Sequence, residues 1–208
     1  MTTLAGHVRT NGAVNRLRRF FEQITTPLPH EEWTLFAMQV SGRQLDPQEI
    51  LVRSARPLDY HYWLDDGLLC ACATSPSGVE VTADIISPGD FFISYAAVDR
   101  EEPSRVTVRA ETPSFCLAIS HALMASVLQR DRRWNQIYRY IAEQSAIRHE
   151  QHLLDVLTED GPTRWKRFQL DHAAIADKIA PAKLASYLGL SEREFLQIRL
   201  SEANALSD

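Results

Sequence analysis

Cysteine is scarce in this sequence: Cys70, Cys72 and Cys116 are the only three in 208 residues. So sparse and odd a set excludes a disulfide framework and points to a reducing compartment, the cytoplasm. Long apolar runs are absent too. None approaches the roughly 18 residues of a membrane helix, so no membrane partner is expected. Residues 1–19 lack an apolar h-region, and with it the mark of a secretory signal. There is no Walker A loop, G-x-G-x-x-G, H-E-x-x-H or G-x-S-x-G. That leaves no phosphate cradle, zinc pair or nucleophile elbow, and predicts neither an enzyme nor a cofactor. A metal-binding barrel would need paired His-x-His ligands, and the β-rich part of the chain holds only His61. Positive charge is also in deficit: 22 Lys and Arg against 27 Asp and Glu leave a net charge of −5. A nucleic-acid binder is usually basic, so this composition argues against a broad electrostatic grip on phosphate.

Apolar residues are plentiful, 45% of the chain, and suffice for a sizeable core. Residues 1–13 are polar and are expected to fray. Val14, Leu17, Phe20, Phe21 and Ile24 recur at helical spacing, with Arg16, Arg18 and Arg19 read as the solvated face. Thr26-Pro27-Leu28-Pro29 breaks that helix, and a short one follows from His30. Between residues 46 and 120 the texture changes to short β-type runs at 50–52, 60–64, 68–74, 79–86, 106–108 and 115–119. Turn signals such as Asp65-Asp66-Gly67, Ser75-Pro76-Ser77-Gly78 and Ser87-Pro88-Gly89-Asp90 separate them, which predicts an antiparallel sandwich or roll. Residues 124–157 hold neither Gly nor Pro and read as one or two helices, the longer over 133–157, ended by Gly161-Pro162. Residues 163–205 read helical, with breaks near Pro181 and Gly189.

The sharpest local pattern lies at 180–200. A helix-turn-helix needs a small residue where its helices cross and a turn residue tolerant of positive φ. Ala185 and Gly189 supply them, with Leu184, Leu188, Leu190, Phe195 and Ile198 facing inward. Ser191 and Glu194 form a capping box that starts the second helix. The outward face then carries Ser191, Glu192, Arg193, Leu196, Gln197 and Leu200, with Arg199 at its edge. In a major groove Arg193 would reach guanine and Gln197 adenine, while Ser191, Lys183 and Arg199 would position on phosphates. From residue 160 to 208 seven basic residues meet seven acidic ones, so this unit is neutral.

"KLASYLGLSEREFLQIR", from Lys183 to Arg199, resembles the C-terminal helix-turn-helix of Crp/Fnr-family regulators. "WLDDGLLCACATSPSGVEVTADIISPGDFF", from Trp63 to Phe92, is similar to that family's cyclic-nucleotide-binding roll, with Gly67, Gly78 and Gly89 at its turns. The likeness covers roughly residues 28–200. It implies an α+β fold: an N-terminal antiparallel β-roll (a double-stranded β-helix), a long dimerisation helix and a C-terminal helix-turn-helix. The expected boundaries are 14–132 for the roll, 133–158 for the helix and 161–208 for the DNA-binding unit. The implied function is a bacterial transcription regulator that binds double-stranded DNA as a homodimer. Its implied partners include RNA polymerase and a small-molecule effector of unidentified chemistry.

Two departures qualify that implication. Where the resemblance expects Gly-Glu after Phe92, to take the ribose, the chain has Ile93-Ser94, followed by Tyr95. Where it expects the phosphate-binding Arg, the chain has Ser104, with Arg105 one step away on the opposite face. Ser94, Tyr95, Ser104 and Arg105 are thus a ligand pocket stripped of its cyclic-nucleotide contacts. In the reading helix Leu196-Gln197 replaces the Ser-Arg of the related branch. The alternative reading is a protein–protein or small-ligand-binding module on the same scaffold, with DNA binding lost. Cys70 and Cys72 share a strand face and are expected to be plain core thiols. His149 and His152, one helical turn apart, read as part of a wet helix face. Two stripes run along 133–157: Tyr140, Gln144, Ile147, Gln151, Leu154, and Tyr138, Ala142, Ser145, His149, His152, Val156. Both are part polar, and neither alone identifies a dimer seam.

Overall fold

A computed structural model describes residues 4–99 and 102–205. Helices α1 (Leu4–Ile24) and α2 (His30–Ala37) precede six strands: β1 (Ser41–Leu45), β2 (Ile50–Val52), β3 (Tyr60–Asp66), β4 (Leu69–Thr74), β5 (Glu80–Ile86) and β6 (Phe91–Phe92). Helix α3 (Tyr95–Asp99), β7 (Thr107–Ala110) and β8 (Ser114–Ser120) complete the β region. Then come α4 (His121–Leu128), α5 (Arg132–Thr158), α6 (Gly161–Asp171), α7 (Pro181–Tyr187) and α8 (Glu192–Ala205). The strands form two antiparallel sheets, ordered β1-β8-β3-β6 and β2-β7-β4-β5.

The strand sequences explain the layering. In β3, Tyr62 and Leu64 enter the core between the sheets with Leu69, Ala71, Ile86, Phe92, Val108, Cys116 and Ala118. Their neighbours Trp63, Phe115, Leu117 and Ile119 turn the other way, beneath the helical layer of α1, α2, α4 and α5. On the second sheet Leu68, Cys70, Cys72 and Ile85 face outward, yet they are buried too, under the C-terminal helices. Strands covered on both faces need not alternate in polarity, which is why 69–72 reads as one apolar run. Phe21, Phe36 and Trp134 anchor the helical layer, the last pair 4.6 Å apart at their ring centroids.

Several expectations are corrected here. The N-terminal helix begins at Leu4, so residues 4–13 are helical; residues 1–3 of the expected frayed end lie outside the described residues. Arg9 holds that end down: its Nη1 donates to Gln44 Oε1 at 2.6 Å and its Nη2 to Asp66 at 3.1 Å, and it lies over Phe115. Arg16 stays on the exposed face but is tied down there, its Nε and Nη2 donating to the two oxygens of Asp65 at 2.5 Å. Strand β1 carries no clear mark in the sequence: Ser-Gly-Arg-Gln-Leu has little β character and four of its five residues are exposed. Gly161-Pro162 does not merely stop a helix but opens α6, capped by Asp160 Oδ1 accepting from the Thr163 N–H at 2.9 Å.

Helix α5 sorts its two stripes. Tyr138, Ala142, Ser145, His152 and Val156 are half-buried toward the body of the molecule. Tyr140, Gln144, Ile147, Gln151 and Leu154 are all exposed, and their spacing alternates four and three residues, the rhythm of a coiled-coil seam.

Candidate functional site

The C-terminal helices assemble around Trp165, Phe168, Leu184, Leu188 and Phe195. Helices α7 and α8 meet at a tight turn. The Leu190 N–H donates to the Ala185 carbonyl at 2.9 Å, and Gly189 takes φ +67°. That left-handed conformation favours glycine, and the space is tight as well: a Cβ there would lie 3.2 Å from Val156 and 3.3 Å from Arg164. Ala185 is buried where the helices cross. Ser191 Oγ accepts from the Glu194 N–H at 3.2 Å, and the Ser191 N–H and Oγ both bond to Glu194 Oε2, at 2.8 and 2.6 Å. These bonds set the start of α8 and hold the Glu194 carboxyl below its usual range.

Glu192, Arg193, Leu196, Gln197 and Leu200 are all exposed on α8. Arg193 makes no hydrogen bond or ion pair with any described residue and is free to engage a ligand. Gln197 lies toward the start of α6, on a groove of about 530 Å³ that it shares with Pro162, Glu194 and Ser201.

The three residues expected on phosphates are placed differently. Lys183 turns inward and pairs through Nζ with Glu111, whose side chain is only 4% exposed. Arg199 Nη2 donates to Asp177 Oδ1 at 3.2 Å, and its guanidinium lies over Trp165. The Ser191 amide is already filled by Glu194, so a phosphate arriving there would meet a carboxylate. In each case the internal partner lies outside the local pattern or within the cap itself.

The four residues expected to line a ligand pocket have different surroundings. Ser104 is buried, with Oγ donating to the Val106 carbonyl at 2.8 Å and its backbone N–H to Arg56 O at 3.0 Å. Arg105 is exposed on a bend, not on a strand, since β7 starts at Thr107. Ser94 is half-buried just before α3. Tyr95 faces a different cavity, described below, beside His61, His121 and Tyr138. Of these four residues only Arg105 is a cation, and it is exposed.

Arg148 was not singled out in the sequence. It reaches from α5 to the roll, with Nη1 on Asp90 at 2.9 Å and Nη2 within 3.5 Å of Asp84. The two histidines of that helix have tertiary contacts; His149 stays on the exposed face, whereas His152 is half-buried. His149 Nε2 is 3.3 Å from Asp84, and His152 stacks on Tyr187 with centroids 4.0 Å apart. All three thiols are buried, and burial pushes each upward, Cys116 to about 12. Such thiols stay protonated and unreactive. Among the described residues no cluster of three or more His, Cys, Asp or Glu is arranged to hold a metal. No helix among them is long and apolar enough to cross a membrane.

Residues 42–131 match the family model of the cyclic nucleotide-binding domain. No curated protein sequence matches the chain. Among solved structures, the chain shares its fold with FixK2 from Bradyrhizobium japonicum (TM-score 0.71, 15% identity, 81% of this chain and 86% of that one). It is similar also to a protein from Eubacterium rectale assigned to the Crp/Fnr family of transcriptional regulators (TM-score 0.69, 15% identity, 85% of each chain). A third is CLP, the c-di-GMP-responsive global regulator of Xanthomonas campestris (TM-score 0.67, 15% identity, 86% of this chain and 93% of that one). At 15% identity these likenesses speak for the fold alone.

Proposed function

We propose that the chain is a non-catalytic transcription regulator of the Crp/Fnr kind, which binds double-stranded DNA as a homodimer and does not take cyclic nucleotide in the usual way. The observation that carries this reading is the exposed face of α8 beyond a tight, glycine-bearing turn, with Arg193 in its first turn and without a partner among the described residues. A helix so presented fits a major groove, and a guanidinium without an internal partner is available for guanine. Gln197 is the second base-reading side chain. The match of residues 42–131 and the regulators that share the fold support the same reading.

Selection from a random duplex pool, without added ligand and at near-physiological salt, tests it. A two-fold symmetric enriched site is the expected result. Arg193→Ala should then weaken binding by about 1–3 kcal/mol and relax the preference at one base of each half-site. Equal binding by the variant would remove Arg193 from the interface. Since the C-terminal unit is neutral and Lys183 and Arg199 are engaged, affinity should fall only shallowly with salt.

The proposed dimer forms along the exposed row Tyr140, Gln144, Ile147, Gln151 and Leu154 of α5. Replacing Ile147 and Leu154 together by Glu should convert a dimer to a monomer in sedimentation, without lowering the melting temperature of the monomer fold. Neither side chain belongs to the buried core, so a variant that stays dimeric places the seam elsewhere.

One feature favours a second reading. Leu196 and Leu200 lie exposed on the α8 face beside Glu192, a combination suited to a protein surface. Failure to enrich any duplex, even at low salt, would favour that partner class.

A further inference from the structure

We propose that the helical cover of the roll holds a small-molecule site, apart from the stripped pocket, for a neutral and largely apolar ligand bearing one hydroxyl-type group. The site is a cavity of about 620 Å³ among α3, α4, α5 and β3, lined by His61, Tyr95, Val98, His121, Met124 and Tyr138 and by smaller apolar residues. That volume lies in the ordinary range for small-molecule pockets.

Three observations define the ligand. Among the described residues no Lys, Arg, Asp or Glu lines the cavity, so a charged ligand would lose its hydration with no counter-charge from them in return. The imidazoles do not supply a cation either: burial holds His61 neutral, pushed down to about 3, and lowers His121 in the same direction. Most telling, His61 Nδ1 and His121 Nε2 are both buried without a hydrogen-bond partner among the described residues, on rings whose centroids are 4.5 Å apart. Buried polar atoms are normally partnered, and two orphans on adjacent lining residues match a polar group that neither ring has found within the chain. A hydroxyl can donate to one neutral imidazole and accept from another, after a small turn of the half-buried His121 ring. Met124, Leu128 and Val98 then cover the apolar remainder.

The location gives such a ligand consequence. It would touch α3 through Tyr95 and α5 through Tyr138, joining the segment after β6 to the helix proposed as the dimer seam. This assigns an effector class to the regulator reading and rests on it for meaning, but its test uses no DNA.

Calorimetric titration of the full chain with naphthol and with naphthoate, a neutral and an anionic molecule of nearly the same shape, provides that test. Saturable binding of naphthol, one per chain, is expected, with naphthoate at least about ten-fold weaker. Ala125→Trp, at the exposed rim, should abolish naphthol binding without altering the circular dichroism spectrum. His121→Phe keeps the ring but removes the nitrogen, and should weaken naphthol about ten-fold. Absence of saturable naphthol binding, equal affinity for naphthoate, or unchanged binding by both variants would overturn the site. Arg193→Ala should leave naphthol binding untouched, so this inference and DNA reading fail separately.

Discussion

Acidification from about pH 7 to about pH 5 is expected to remove about 2 kcal/mol of stability through His61 alone. The ring is 1% exposed, and desolvation, with the neighbouring His121 second, pushes its pKa from 6.5 down to about 3. In the unfolded chain the same ring takes up a proton once the pH falls through 6.5. The unfolded state therefore binds the extra proton first. Stability contributed by the neutral ring is complete above the unfolded value, falls steadily below it, and is wholly lost near the folded value. Each unit in that window removes about 1.4 kcal/mol. The groups that face His61 are His121 from α4 and Tyr138 from α5. His121, His152 and His172 are lowered as well, chiefly by desolvation, and steepen the same slope. The shifted carboxylates Asp131, Asp160 and Glu194 are held below their usual range, so they stay ionised throughout this window. Urea melts of the wild type and His61→Leu at both pH values measure the effect. The variant should lose roughly half or more of the acid sensitivity; an unchanged slope would mean that His61 is protonated in the folded state.

Gly67→Ala should destabilise the roll by about 3 kcal/mol or more, enough to leave much of the chain unfolded at physiological temperature. Two independent penalties meet at this residue. Its φ of +98° lies outside the space an L side chain occupies without strain. A Cβ there would also lie 2.6 Å from the Cα of Ser114, a backbone atom that cannot swing aside. Ser114 is itself fixed: its Oγ accepts from the Leu68 N–H at 3.1 Å and donates to the Thr112 carbonyl at 2.7 Å. The turn thus joins β3 to β4 while pressing against the first residue of β8, and both sheets depend on it. A contrasting substitution is Gly78→Ala, where φ is +84° but nothing lies within 4 Å of the added atom. That variant should show only the conformational penalty, about 1–2 kcal/mol. Equal midpoints for the two variants in thermal melts would show that the Ser114 contact yields.

These residues also show which parts of the molecule a single sequence reveals. Gly67, Gly78, Gly89 and Gly189 are legible because a positive φ leaves a mark at the residue that adopts it. The strand runs between them are legible for the same local reason, as is the capping box of Ser191 and Glu194. What stays hidden depends on distant partners. Nothing near Arg9 says that Gln44 and Asp66 will receive it, so the first turns of α1 read as frayed. Lys183 and Arg199 have the type and position of phosphate contacts until Glu111 and Asp177 arrive from other parts of the chain. His61 and His121 are sixty residues apart and meet only because β3 and the start of α4 are brought together, the His121 N–H bonding to the Asp59 carbonyl at 2.9 Å. The exposed row on α5 needed the fold as well: two stripes had the same polarity in the sequence, and only burial told them apart.

The burial of Leu68, Cys70, Cys72 and Ile85 beneath Leu184, Tyr187 and Leu188, with the Thr82 N–H donating to Ser186 Oγ at 3.0 Å, bears on how the molecule can be divided. The sequence offers an obvious cutting point near Gly161-Pro162, but the apolar layer crosses it. A fragment ending there would carry a bare, thiol-bearing strand face into water, and a fragment starting there would lose the floor on which α7 rests. Neither half is self-sufficient, so proteolysis at that hinge should yield two fragments that stay associated until denatured, and calorimetry of the intact chain should show one transition where the linear arrangement of segments would suggest two.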